Sequence, residues 1–157
     1  MLTAFYRLVF AFTLLLPLAA HASDAGDFVA GSSSDQARLL ETWAAQPVPA
    51  RFELLLALQD GRVAADADKR PFVETNGSMT GLDGPAAAVE PVRKLRLNNR
   101  LRGLVDTALA SHELLSNDTK VRLAAALQLQ KSAQPNQLAL LDHQVAGEQD
   151  DDVKAAL

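Results

Sequence analysis

Five cations stand within a ten-residue stretch of an otherwise acidic chain: Arg93, Lys94, Arg96, Arg100 and Arg102. Guanidinium and ammonium groups at this density do the chemistry of anion recognition. They bind carboxylates, phosphates or lipid headgroups by charge and, for Arg, by paired N–H donors. Two readings fit the residues alone. One is a solvated face whose charges pair with local acids such as Asp106. The other is a docking patch for an acidic partner or for a membrane surface, where a basic residue gains about 1 kcal/mol near anionic lipid. Neighbouring Asn98 and Asn99 suit helix capping better than ligand binding.

No other constellation in the chain points to catalysis, a cofactor or a metal. There is no cysteine, which removes disulfides and thiolate sites. Of the three histidines, His21 lies at the end of the leader described below. His112 and His143 are far apart, without a His-x₃-His or His–Glu spacing, and are expected as exposed helix residues. No G-x-S-x-G elbow occurs. The run "GSMTGLDG" lacks a phosphate-loop lysine and reads as turns. Glu41 and Glu53 fit solvated helix faces. An enzyme is therefore not expected. The net charge of −4 gives no case for nucleic-acid binding.

The elements that must carry the cluster follow from composition and spacing. Ala, Leu and Gln are abundant and aromatic content is 5%, a helix-rich balance. Residues 1–22 have one basic residue, Arg7, an apolar run from Leu8 to Leu18 and an Ala20-His21-Ala22 cleavage pattern, the layout of a secretory signal peptide. That run is far short of the roughly 20 residues that span a bilayer. A periplasmic chain beginning at Ser23 is expected.

Residues 23–61 read as a helical hairpin. The first helix, 32–46, has Ser33 and Gln36 as a capping box and Ala37, Leu40, Trp43 and Ala44 as its apolar stripe. Pro47 and Pro49 separate it from a second helix, which buries Phe52, Leu55, Leu56 and Leu58 and stops at Gly61. Residues 62–97 are rich in breakers and read as an irregular insert of weak β character. Within it Asn76-Gly77 marks a β-hairpin turn and "KLRL" (94–97) a short strand. This insert is the segment expected to be least ordered.

Residues 98–157 return to helical spacing. A helix capped by Asn98 or Asn99 buries Leu101, Leu104, Val105, Ala108 and Leu109. A second, capped by Asp118, buries Val121, Ala124, Ala125 and Leu127. A third runs to Gly147. "NDTKVRLAA" and "QDDDVKAAL" then match at a constant offset of 32 residues: Asp118 with Asp150, Val121 with Val153, Arg122 with Lys154, Ala124 with Ala156. Recurrence near this length is the mark of stacked helical repeats of HEAT-like type. The expected fold class is all-α: a helical hairpin, an irregular insert, and HEAT-like repeats whose last copy breaks off at Leu157, as a fragment of a longer protein would.

The leader, "FVAGSSSDQARLLETWAAQP", "ARFELLLALQDG" and above all the stretch from "KLRLNNRLRG" to Leu157 resemble a known sequence type. They are similar to the exported N-terminal extension of urea-type ABC transporter permeases in the branched-chain amino acid permease family. The resemblance runs over essentially the whole chain, and "LRLNNRLRG" (95–103) is its most specific element. It implies a part in urea uptake through protein interaction, with the transporter's permease and solute-binding subunits as partners. It implies a place in the inner membrane if a permease domain continues the chain. That family's translocating domain is not in this sequence, so no residue here inherits a transport role. The alternative expectation is a free-standing periplasmic helical-repeat adaptor.

Overall fold

The computed structural model describes residues 23–85 and 87–157. The expected signal peptide, 1–22, lies outside them. The chain is mostly helical, with seven α-helices among the described residues and one four-stranded antiparallel sheet. No described helix is long and apolar enough to cross a membrane.

The first helix, α1 (Asp24–Ala30), has no counterpart in the sequence reading. It is short, and Ser23 caps it by accepting from the Gly26 N–H. Its Phe28 is wholly buried. Helix α2 (Ser33–Ala45) follows, and its capping box lies one residue earlier than expected. Ser32 Oγ accepts from the Asp35 N–H, and the Asp35 carboxylate accepts from the Ser32 N–H. Three consecutive serines leave that register open to sequence reasoning. Gln36, freed from capping, donates instead to the Phe28 carbonyl at 3.0 Å and ties α1 to α2. Ala37, Leu40, Trp43 and Ala44 are buried as their spacing predicts.

A single 3₁₀ turn, Pro49–Arg51, leads into α3 (Phe52–Gln59). Gly61 ends α3 with φ +65°, a conformation that costs glycine little. The Arg62 N–H reaches back to the Ala57 carbonyl at 2.8 Å, closing the helix end.

The chain is mostly helical as expected, but residues 62–97, expected as an irregular insert of weak β character, form a regular sheet. They form strands β1 (Val63–Ala65), β2 (Pro71–Thr75), β3 (Ser78–Gly81) and β4 (Arg93–Lys94) in the order β3-β2-β1-β4. The strands are too short for a period-two pattern to emerge from sequence. The hairpin at Asn76-Gly77 is present: Thr75 faces Ser78, and both turn residues have positive φ, as a type I′ turn requires. Val63 packs into the main core from one face of the sheet, with Ala65 and Val73 beside it, while Phe72, opposite Ala64, is buried on the other face. A buried carboxylate, Asp66, ties its connecting loop. It accepts from the backbone N–H groups of Asp68, Arg70 and Val89 and from the Arg70 guanidinium. Burial by itself would raise the Asp66 pKa, but the Val89 and Arg70 donors bring it down to about 2.

Helix α4 (Asn99–Glu113) runs through the middle of the molecule, capped by Asn98. One face joins Leu101, Val105, Ala108 and Leu109 to a core built from α1, α2, α3 and β1. Its C-terminal turn joins a second, smaller core of Ala110, Leu114, Ala125, Ala126, Leu129 and Ala156. That core lies against α5 (Thr119–Ser132) and α7 (Asp151–Ala156), while α6 (Leu138–Gly147) has no buried residue. The buried face of α5 differs from the expected one. Ala125, Ala126 and Leu129 point inward, Ala124 is exposed, and Leu127 is 46% exposed. A helix with apolar residues all round does not declare its inner face.

The 32-residue match has a local structural counterpart. Asp118 and Asp150 both cap their helices, accepting from the Lys120 N–H and from the Asp152 and Val153 N–H groups. Two residues before each cap, a side-chain oxygen accepts from the cap's own N–H: Ser116 at 3.1 Å in one case, Glu148 at 3.0 Å in the other. Burial does not recur. Val153 and Ala156 are buried, whereas Val121 is half-buried and Ala124 exposed.

Candidate docking surface

Strand β4 forms an edge of the sheet by pairing with β1, and the chain then runs extended into the cap of α4. The Leu95 N–H prolongs the pairing by donating to the Val63 carbonyl at 2.9 Å. Extended backbone alternates its side chains. Leu95 and Leu97 therefore pack against the main core, and Arg96 is exposed between them. Arg100 and Arg102 are exposed on the first turn of α4, which carries no acidic residue. The partial positive charge of a helix N-terminus adds there to the charge of the guanidinium groups.

All five cluster cations are exposed, but they differ in their partners. Lys94 pairs with Glu74, and Arg100 approaches Glu41 at 3.6 Å. Both are surface ion pairs, a class that contributes about 0–1 kcal/mol. Arg93, Arg96 and Arg102 make no ion pair among the described residues. Asp106, the expected local counter-charge, instead accepts from the Gln59 side chain at 3.0 Å. Arg96 and Arg102 line one depression of about 610 Å³, together with Leu58, Leu95 and Leu97 and the polar Gln59 and Asp60. Asp60 is already paired with Arg62 at 3.0 Å. The result is a hollow of mixed polar and apolar lining, bordered by two cations available to an external anion.

A second concavity was not legible in the sequence. The connection between α2 and α3 faces the end of α4 and the start of α5 across a groove of about 500 Å³. It is lined by Pro49, Phe52, Leu115 and Val121, with His112, Glu113 and Ser116 as its polar members. His112 corrects the expectation of an exposed residue, for it is buried. Its Nε2 accepts from the Val48 N–H at 3.1 Å, so Nδ1 carries the proton and donates to the Ala108 carbonyl at 2.8 Å. Burial, with a lesser contribution from the Arg51 charge, lowers its pKa against the raising effect of the Ala108 carbonyl. His112 is thus a neutral strut joining α4 to the α2–α3 connection. Its polar neighbours Ser111 and Glu113 make the stretch look solvent-facing, and only the packing of the hairpin over it reverses that. His143 is exposed, as expected.

Glu113 is half-buried at the groove, with no hydrogen-bond or ion-pair partner for its carboxylate among the described residues. Burial pushes its pKa up. Arg51, whose charge acts on the adjoining His112, is engaged elsewhere. It bonds Asp24 at 2.7 Å and the Gln46 carbonyl, and its guanidinium stands over the Trp43 ring. No group of three or more metal-ligating side chains occurs among the described residues.

Searches for similar proteins found no matching family model, no matching curated protein and no matching solved structure.

Proposed function

We propose that this chain is an exported helical docking module, the N-terminal part of a urea-type ABC transporter permease of the branched-chain amino acid permease family. It acts by protein interaction in the periplasm. The observation that carries the docking role is the pair of guanidinium groups, Arg96 and Arg102, without an ion pair among the described residues, bordering one hollow that Leu58, Leu95 and Leu97 also line. Interfaces combine apolar contacts, offered here by the three leucines, with cations that steer and orient an acidic partner. The transporter assignment rests on the sequence resemblance, most specifically on residues 95–103, the same segment that builds the hollow. The recurrent caps at Asp118 and Asp150 support a HEAT-like stacking of the C-terminal helices.

The test is co-purification with the transporter's other permease subunit and its solute-binding protein. Substituting Arg96→Gln, Arg100→Gln and Arg102→Gln together is expected to leave helical content unchanged and to weaken the association by at least about tenfold. Undiminished co-purification of the triple variant would remove the docking role. Failure of the unaltered chain to associate with either subunit would remove the transporter assignment and favour a free-standing adaptor.

A further inference from the structure

We infer that the groove between the α2–α3 connection and the α4–α5 turn is a binding site for a small amphipathic amine, a primary ammonium group on an apolar body. The inference is independent of the docking reading, since the groove shares no residue with the hollow at Arg96 and Arg102.

Three observations carry it. The groove, at about 500 Å³, falls within the range of small-molecule pockets. Pro49, Phe52, Leu115 and Val121 give it an apolar wall, and Leu115 is 45% exposed, an apolar cost that an occupant would relieve. Its only acidic lining residue is Glu113, whose carboxylate has no counter-charge among the described residues. A carboxylate on a half-desolvated apolar wall selects a cation, and an ammonium supplies the hydrogen-bond donors that it lacks. The two other polar members do not offset that charge. Both ring nitrogens of His112 are occupied by backbone groups, and Ser116 is uncharged: its Oγ accepts from the Asp118 N–H and keeps only one O–H to donate. The nearby Arg51 is held by Asp24 and Gln46. Glu113 is thus the group that would set ligand charge, and the apolar wall would set ligand shape.

The test is a titration at pH 7 with three probes of one shape and different charge: phenethylamine, 2-phenylethanol and 3-phenylpropionate. Binding is read from backbone amide shifts in an NMR spectrum of the ¹⁵N-labelled protein. Saturable shifts at Leu115, Ser116 and Val121 are expected with phenethylamine, and about tenfold weaker binding with the alcohol and the carboxylate. Glu113→Gln should bring the amine down to the level of the alcohol while leaving the rest of the spectrum in place. A second variant, Leu115→Ser, should weaken the amine and the alcohol together. Equal binding of the three probes, shifts confined to other surfaces, or no saturable shift with phenethylamine would each overturn the inference.

Discussion

The two cores that meet on α4 are built from different materials. The N-terminal core is large and aromatic. Trp43 is 1% exposed and packs on Phe28 with ring centroids 5.6 Å apart, and Leu40, Leu55, Leu58, Val63 and Val105 close around them. The C-terminal core is small. Four of its six buried members are alanines, and Leu114 and Leu129 are its only large buried side chains. Polar bonds take up what burial does not supply there. Arg122 holds Glu148 with two guanidinium contacts, at 2.8 and 3.0 Å, and also donates to the Ser116 carbonyl. Buried Gln137 donates to Ser111 at 2.6 Å and accepts from the Gln134 N–H. A core stabilised by apolar area is indifferent to proton concentration. One that depends on a carboxylate and on specific donors responds to pH and to single polar substitutions.

The largest test of that contrast is truncation of the two cores. Trp43→Ala removes the central side chain of the aromatic core and should cost about 3–5 kcal/mol, much of the stability of a typical domain. Leu129→Ala should cost less, about 2 kcal/mol, the low end for such a change. Leu129 borders a shallow hollow shared with Ala126, Leu141 and Leu157, where neighbours can settle inward. Urea unfolding of each variant checks both values. Equal costs would erase the difference between the cores.

Acid should separate the two regions next. The Arg122 contact, aided by the Asp150 and Gln149 N–H groups, depresses the Glu148 pKa from 4.5 to about 2. A depressed carboxylate contributes stability that is fully present above its unfolded pKa and lost as pH falls through the folded one. The window here runs from about pH 4.5 down to about 2. Amide exchange followed from pH 5 to pH 2.5 should show α7 losing protection before α2 does. Glu148→Gln at pH 7 should reproduce the early loss. Asp66, depressed to about 2 as well, adds a loosening of the 66–70 turn over the narrower window from about pH 3.8 down to about 2. Simultaneous loss in α2 and α7 would show that the C-terminal core has no separate dependence on charge.

The same contrast explains what the sequence disclosed. The burial of Ala37, Leu40, Trp43 and Ala44 was readable because α2 carries one apolar stripe on an otherwise polar helix. The stop at Gly61 and the turn at Asn76-Gly77 were readable because each needs a left-handed backbone that few residues adopt easily. The face of α5 was not readable, since Val121, Ala124, Ala125, Ala126, Leu127 and Leu129 surround it. The hairpin at 76–77 and the β character of 62–97 were readable, but the four-stranded order was not, because strands of two to five residues leave little period; α1 was missed because its seven residues span less than two turns. The cation cluster was visible as composition. Which cations stay unpaired depends on Glu41 and Glu74, far away in sequence. The groove at Glu113 arises where three separate segments meet, and no local pattern encodes that.

The smallest expected effect bears on whether the two caps are equivalent. Asp118 and Asp150 occupy matching positions 32 residues apart, and each accepts from backbone N–H groups of the helix that it opens. Loss of a cap costs about 1 kcal/mol wherever the helix end is fixed by its surroundings. The surroundings differ: α5 packs on α4 through Ala125, Ala126 and Leu129, while α7 has only Val153 and Ala156 buried. Asp118→Ala should therefore register as a loss of about 1 kcal/mol in global unfolding. Asp150→Ala should register chiefly as faster amide exchange confined to α7, since so short a helix can open without the rest. Equal global costs would mean that α7 is as firmly coupled to the molecule as α5. That result would make the recurrence between Asp118 and Asp150 one of packing as well as of capping.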